Sequence, residues 1–410
     1  MKKIAVTGLG VVSPLGSDIQ ILWDNLIEAQ SGIESIDAFA DLPVTIGGPL
    51  KGFDPSRYLG KKELRHLDRY SQMAVTAGLD AYHHSDLGGD FYSPYKTGVL
   101  IGTGSGGVNT LESQIAAFNN RGPKRVSPMT APMFIGNSAS AELAMRIQAK
   151  GPGMGIASAC ATGGHALAVS MRLIASGDAD CMVTGSVEAC LTPFAISAFA
   201  AMRALSTRNN EPEKASRPFD ADRDGFVMSE GGAVLVLEDY QKAKDRGANI
   251  RAVLYGAGMT QDAYHIVAPD PDGSAVVYAI QKAIADAGIS PFDIGYINAH
   301  GTSTTLNDKA ETQAIKKVFG KTAYEIPVSS TKSMTGHLIG GAASLETVIC
   351  VMVMNNGMIP PTINLDNADP ECDLNYVPNK ALNAEVSYCL NNSFGFGGQN
   401  VALIVGKDRV

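Results

Sequence analysis

Four residues in this chain could together perform acyl-transfer chemistry: Cys160, His300, Lys332 and His337. Cys160 lies in ASACATGGHALAVSMRLIASG, where a short strand runs into an Ala-rich helix without a polar linker. That puts the thiol at a helix N-terminus, where the dipole and free N–H groups favour a thiolate and can hold the oxyanion of a tetrahedral intermediate. The same segment also suits a small buried cysteine with no chemistry. His300 follows a strand in IGYINAHGTST, and His337 lies in SSTKSMTGHLIGGAAS, five residues after Lys332. Either histidine alone could be a core imidazole bonded to backbone, but two of them with a lysine, each at a strand end, suggest a cleft. One Cys with two His fits acyl transfer better than zinc, since HxxxH, HxH and CxxC spacings are all missing.

Two glycine-rich segments carry weaker signals. Gly8-Leu9-Gly10-Val11-Val12-Ser13 lacks the third glycine and the later acidic residue of a dinucleotide site, which leaves tight strand packing as its reading. Gly102–Gly107 (GTGSGG) lacks the Lys-Ser/Thr of a phosphate loop. His83-His84 reads as a surface pair.

The elements that must position these residues are short β-branched runs alternating with Ala-rich helical patterns, which points to an α/β fold. Strands are expected at 3–7, 97–102, 155–159, 180–185 and 232–238, then at 251–259, 295–299, 326–329, 386–391 and 400–405. Helices are expected at 165–176, 275–287, 309–318 and 342–354. The two sets of strands match in size and order, suggesting related halves, 1–250 and 251–410. The polar, Pro-bearing stretch 206–223 reads as a surface excursion.

A chain of 410 residues fits two domains at roughly 100–200 residues each. With 45% hydrophobic and 18% charged residues it builds a core and is not disordered. The formal charge of −8 excludes a global nucleic-acid footprint, so any acidic partner needs a local basic patch. Lys61, Lys62 and Arg65, Lys124-Arg125, Arg203 and Arg208 could supply one. Six dispersed cysteines indicate a reduced, cytoplasmic setting. The apolar N-terminus reads as a first strand, and the longest apolar run elsewhere, Val348–Met354, is far too short to span a membrane.

Along nearly its whole length the chain resembles the β-ketoacyl-[acyl-carrier-protein] synthases of the thiolase superfamily, most closely the KAS II type. The resemblance rests on IAVTGLGVVSPLG, SACATG, RALSTRN, SRPFDADRDGFVMSEGGAVLVLE, NAHGTST, SSTKSMTGHLIGGA, PPTINLDN and NNSFGFGG. It implies a five-layer α-β-α-β-α fold of two related halves, and a homodimer paired through a sheet edge of the first half. It also implies a Cys160-His300-His337 triad with Lys332 and Glu346 beside it and Phe396 gating access. Substrate contacts are expected at Ser105, Phe199, Thr302, Thr304 and Phe394. An acidic acyl-carrier protein (ACP) would dock on Lys62, Arg65, Lys124, Arg125 and Arg203.

The implied reaction is decarboxylative condensation of malonyl-ACP with an acyl thioester on Cys160. Its substrates ride on the phosphopantetheine arm of ACP, and no cofactor or metal takes part. Gln399 where Thr is usual, Ala161 where Thr or Ser is usual, and Ser105 where a large aliphatic residue is common put chain-length preference in doubt. Ketosynthases of type II polyketide or aryl-polyene pathways, and KAS I-type synthases, share these catalytic residues. A non-catalytic chain-length factor usually lacks the cysteine, and a thiolase uses a second cysteine in place of one histidine.

Overall fold

The computed structural model describes residues 2–88 and 91–408. Among them, ten strands form one continuous sheet that divides into two five-stranded units. The first unit holds β1 (Ile4–Val12), β2 (Thr97–Gly102), β3 (Gly153–Ile156), β4 (Cys181–Glu188) and β5 (Gly231–Asp239). The second holds β6 (Ala252–Gln261), β7 (Tyr296–Asn298), β8 (Val328–Ser329), β9 (Tyr388–Gly395) and β10 (Gln399–Gly406). The strand order 1-5-4-2-3 in one unit recurs as 6-10-9-7-8 in the other. Parallel and antiparallel pairings recur position for position, and β1 joins β6 through a short antiparallel ladder.

Helices complete the layers. Helix α1 (Arg69–His84) covers the outer face of the first unit. Helices α2 (Thr162–Ser176) and α5 (Ala342–Asn356) lie between the two units and touch both. Helix α3 (Ser274–Ala287) covers the outer face of the second unit, with α4 (Thr305–Phe319) packed beside it. This is the expected α-β-α-β-α stack. Because α5 is enclosed between the sheets, it is buried on every side along most of its length and not amphipathic, its few polar side chains such as Glu346 being paired inside the protein. The segment Ile339–Asn356 is the one described stretch long and apolar enough to cross a membrane, and 83% of it is buried in the protein core.

The repeat extends to local detail. Each central helix has 15 residues and is entered by a three-residue 3₁₀ turn, Ala159–Ala161 before α2 and Ile339–Gly341 before α5. Gly10 on β1 and Gly258 on β6 each lie under an outer helix, so close that a Cβ would stand 1.9 Å from a helical carbonyl oxygen, Ala77 or Ala279 respectively. The first glycine-rich segment is therefore strand, and β1 runs to Val12, beyond the expected residue 7. The strand expected at 155–159 ends at Ile156, and α2 begins at Thr162, three residues before the expected start. His84 is half-buried, its Nδ1 3.1 Å from the Leu9 carbonyl oxygen, so only His83 fits the surface reading.

One expectation holds only in part. Within the 206–223 segment, 207–214 is exposed or half-buried, but Ala215–Asp220 is buried throughout. Its polarity is answered internally: Arg217 pairs with Asp220 at 2.9 Å, and Arg223 with Asp308 at 3.5 Å and Asp369 at 2.8 Å. Composition alone reads such charges as solvated, whereas here each buried guanidinium meets a carboxylate.

Candidate active site

Cys160 lies in the turn entering α2, at the interface of the two units. The turn is held rigid: the Ser158 N–H donates to Thr162 Oγ1 at 2.8 Å, and the Thr162 hydroxyl donates to the Ala159 carbonyl at 2.7 Å. His300 leaves the end of β7, and Glu311 of α4 fixes its backbone. One Glu311 oxygen accepts the His300 N–H at 2.9 Å and the other the Gly301 N–H at 2.8 Å. The His337 backbone is held by the 226–230 segment, donating to the Val227 carbonyl at 2.8 Å and accepting from the Ser229 N–H at 3.0 Å. The strand ends thus deliver three side chains from distant sequence to one point.

His337 Nε2 is 3.0 Å from Cys160 Sγ, and one ring nitrogen from each histidine lies within 4.8 Å of the sulfur and of the other. The two imidazoles meet edge to face at 5.5 Å. Phe226 packs edge-on against His337 at 5.3 Å, and Phe394 against His300 at 5.5 Å. Lys332 is buried behind the triad, ion-paired to buried Glu346. Neither lines the cavity onto which Cys160, His300 and His337 open.

Backbone strain concentrates here. Ala159 (φ 48°), Ile339 (φ 47°) and Ser303 (φ 67°) adopt left-handed conformations next to Cys160 or within three residues of His337 and His300. For a β-branched residue such as Ile339 this is a costly conformation that the surroundings must enforce.

The electrostatics favour neutral groups. Burial pushes the Cys160 thiol up to about 12, against the opposing pull of Lys332 and of the backbone N–H groups of Phe396 and Cys160. This corrects the expected thiolate: a helix start within a dry pocket does not outweigh desolvation. Burial, reinforced by Lys332, holds both imidazoles well below the usual histidine range, and His337 adds to the effect on His300. Each ring is therefore neutral and carries one N–H. Burial also raises the Glu346 carboxyl to about 7, with Lys332 opposing.

The cavity has a volume of about 480 Å³. Ser105, Phe199, Thr302, Thr304, Phe394 and Phe396 all line it, as does Arg203. Phe396 stacks on Phe199 at 6.2 Å, and both line the cavity onto which Cys160 opens. On one side, Cys160 belongs to an apolar cluster with Ile196, Phe226 and Ile339. Ala161 is fully buried, and Gln399 sits opposite both Gly395 and Gln261 in the sheet. Lys62, Arg65, Lys124, Arg125 and Arg203 are all exposed, and none makes a salt bridge among the described residues.

Glu311 and Phe226 belong to the site without having been foreseen. Glu311 had a readable signal, because it shares the buried face of α4 with Ala314 and Ile315, where an unpaired carboxylate needs a reason. Phe226 acts through three-dimensional packing and had none.

Chemically, this is a thiol beside two neutral imidazoles, with two backbone N–H groups facing the sulfur and a cavity beside it. It can accept an acyl group and hold a developing negative charge on oxygen.

Residues 1–243 match the β-ketoacyl synthase N-terminal domain, and residues 251–366 match the β-ketoacyl synthase C-terminal domain. The chain is 47% identical over 408 residues to 3-oxoacyl-[acyl-carrier-protein] synthase 2 of Synechocystis sp., covering 99% of this chain and 98% of the relative. Identity to the Coxiella burnetii protein of the same name is 44% over 408 residues, covering 99% of each. Among solved structures, it superposes with TM-score 0.93 at 33% identity on a chain of AntDE:AntF, described as a type II PKS acyl-carrier protein in complex with its ketosynthase bound to the hexaketide. That match covers 99% of this chain and all of the other. With both domains matched in order over this fold, the chain belongs to the β-ketoacyl synthase family.

Proposed function

We propose that this protein is a type 2 3-oxoacyl-[acyl-carrier-protein] synthase that lengthens acyl chains by two carbons. The observation that carries this reading is the convergence of Cys160 Sγ with one nitrogen from each of His300 and His337 inside 4.8 Å, beside a cavity. In the first half-reaction Cys160 passes its proton toward His337, and the sulfur attacks the acyl thioester on ACP. The new Cys–acyl bond forms as the carrier thiol leaves, taking up the proton. The N–H groups of Cys160 and Phe396 hold the oxyanion.

In the second half-reaction the malonyl-ACP carbonyl oxygen accepts hydrogen bonds from neutral His300 and His337. Such donors are worth a few kcal/mol each to an enolate, on the order of 3. The malonyl carboxylate leaves as CO₂, its bonding electrons form the enolate, and the α-carbon attacks the acyl-enzyme. This releases 3-oxoacyl-ACP and returns the Cys160 thiolate, which regains a proton. Burial, with the Lys332 ammonium behind the triad adding to it, keeps both imidazoles uncharged, and Glu346 holds Lys332 in place by an ion pair. Phe396 gates the thiol, and Ser105, Phe199, Thr302, Thr304 and Phe394 contact the chain and arm.

The exposed, unpaired Lys62, Arg65, Lys124, Arg125 and Arg203 would steer the acidic ACP to the mouth. We assign a homodimer closed through the edge of β3, whose Gly153, Met154 and Gly155 are exposed. The unit of duplication is taken as 1–250 and 251–410, and the setting as cytoplasmic, in keeping with six free, buried cysteines. A second reading, a polyketide-pathway ketosynthase, draws on the 0.93 superposition with the AntDE:AntF chain.

Intact-mass spectrometry of carrier species after mixing enzyme, malonyl-ACP and saturated acyl-ACPs from about C6 to C16 separates the two. Single two-carbon-longer 3-keto products across the series support the elongating synthase. Repeated unreduced extension on one carrier supports the polyketide reading, and products without any extension contradict both.

A further inference from the structure

Glu188 ends β4 and is fully buried, yet it has no part in the chemistry above. Among the described residues it has no basic partner. Its carboxylate is instead held by four hydrogen-bond donors. One oxygen accepts from the Thr103 hydroxyl at 3.0 Å and the Ser105 N–H at 3.1 Å; the other accepts from the Gly104 N–H at 2.7 Å and the Gly340 N–H at 3.2 Å. Thr103, Gly104 and Ser105 form the loop after β2, and the last two line the cavity. Gly340 belongs to the strained turn of Ile339, which lines the cavity too and packs in the apolar cluster with Cys160. One carboxylate therefore ties a wall segment from the first unit to a wall segment from the second.

We propose that Glu188 is a positioning residue that sets the inner wall of the acyl channel, and with it the chain lengths that Cys160 accepts. The inference rests on the reading of Cys160 as the acyl acceptor. The wall is made of one loop and one turn, each able to move as a unit, and the carboxylate is their shared anchor. Replacing it by the near-isosteric amide turns one acceptor oxygen into a donor, so two of the four N–H or O–H groups lose their partner and their segment is released. His337 keeps its separate backbone anchors at Val227 and Ser229, so the triad stays in place while the channel changes shape.

The test uses full-length Glu188→Gln and Thr103→Val, the latter removing one donor to Glu188 and, within the same loop, the acceptor of the Gly106 N–H. Acylation rates of Cys160 are measured from acyl-ACPs of about C6, C10 and C14, alongside thermal unfolding. The expected result is a change of at least about fivefold in the C14-to-C6 rate ratio for Glu188→Gln, and a smaller change of the same sign for Thr103→Val. A parallel loss at all lengths, or an unchanged ratio, would overturn the inference while leaving the acylated wild type intact. If Glu188→Gln does not fold, a Thr103→Val ratio shifted by more than about twofold supports the inference, and an unshifted one overturns it. Wild-type enzyme acylated by no chain would overturn the reading of Cys160 itself.

Discussion

A single methyl group at position 395 tests whether the 394–397 turn completes the oxyanion hole. In Gly395→Ala the new Cβ would stand 2.7 Å from the Ser158 carbonyl oxygen and 3.3 Å from the backbone nitrogens of Cys160 and Ala161. Comfortable carbon contacts begin at roughly 3.5 Å, so relief needs a shift of about 0.5–1 Å. The Cys160 turn cannot easily give way, because the Ser158 carbonyl accepts the Ala161 N–H at 3.1 Å and the flanking bonds to Thr162 pin it. The hairpin of β9 and β10 must move instead, carrying the Phe396 N–H away from the sulfur. Misplacement on this scale costs about 10²-fold in rate, or about 2.7 kcal/mol of transition-state stabilisation. Rapid-quench intact mass of the acyl-enzyme measures it, with thermal unfolding as the check that the variant is folded. A folded variant acylated within about threefold of the wild-type rate would refute the reasoning.

Reversing charge at Lys62 and Arg65 should raise the KM for carrier-bound substrate and flatten its salt dependence, leaving kcat little changed; an unaltered KM places the carrier elsewhere. Arg223→Met leaves Asp308 buried without its partner and should cost about 3–5 kcal/mol in urea unfolding, against less than about 1 if the pair were a solvated one. The pH dependence of Cys160 alkylation in the free enzyme should rise about tenfold per unit from pH 7 to 10 without a plateau, because burial raises the thiol to about 12. A plateau near neutrality would mean a preformed thiolate–imidazolium pair.

The chemistry was legible in sequence because the reactive side chains stand in Gly-, Ser- and Thr-rich segments beyond strand ends. Cys160 and His300 follow their strands closely, whereas Lys332 opens the short helix Lys332–Thr335 and His337 follows it, and the structure brings all four together. The alternation of strands and helices likewise pointed to an α/β fold with buried sheets, while the five-layer stack was implied by the family resemblance. What escaped was decided by burial that composition does not report. Arg217, Asp220 and Arg223 looked solvated yet answer one another inside the protein. Helix-start geometry pointed to a thiolate at Cys160, while burial keeps the thiol protonated against the pull of Lys332, and burial together with Lys332 keeps the imidazoles neutral. Glu188 was silent because its four donors come from segments about 85 and 150 residues away, a separation no local pattern records.

The central claim is that Cys160 carries the acyl group during turnover. Peptide mapping after incubating the enzyme with acyl-ACP alone, under acidic quench, tests it most directly. The account predicts the acyl mass as a hydroxylamine-labile thioester on the peptide containing Cys160, absent in Cys160→Ala together with all condensation. Acylation at another residue, or condensing activity retained by Cys160→Ala, would contradict it.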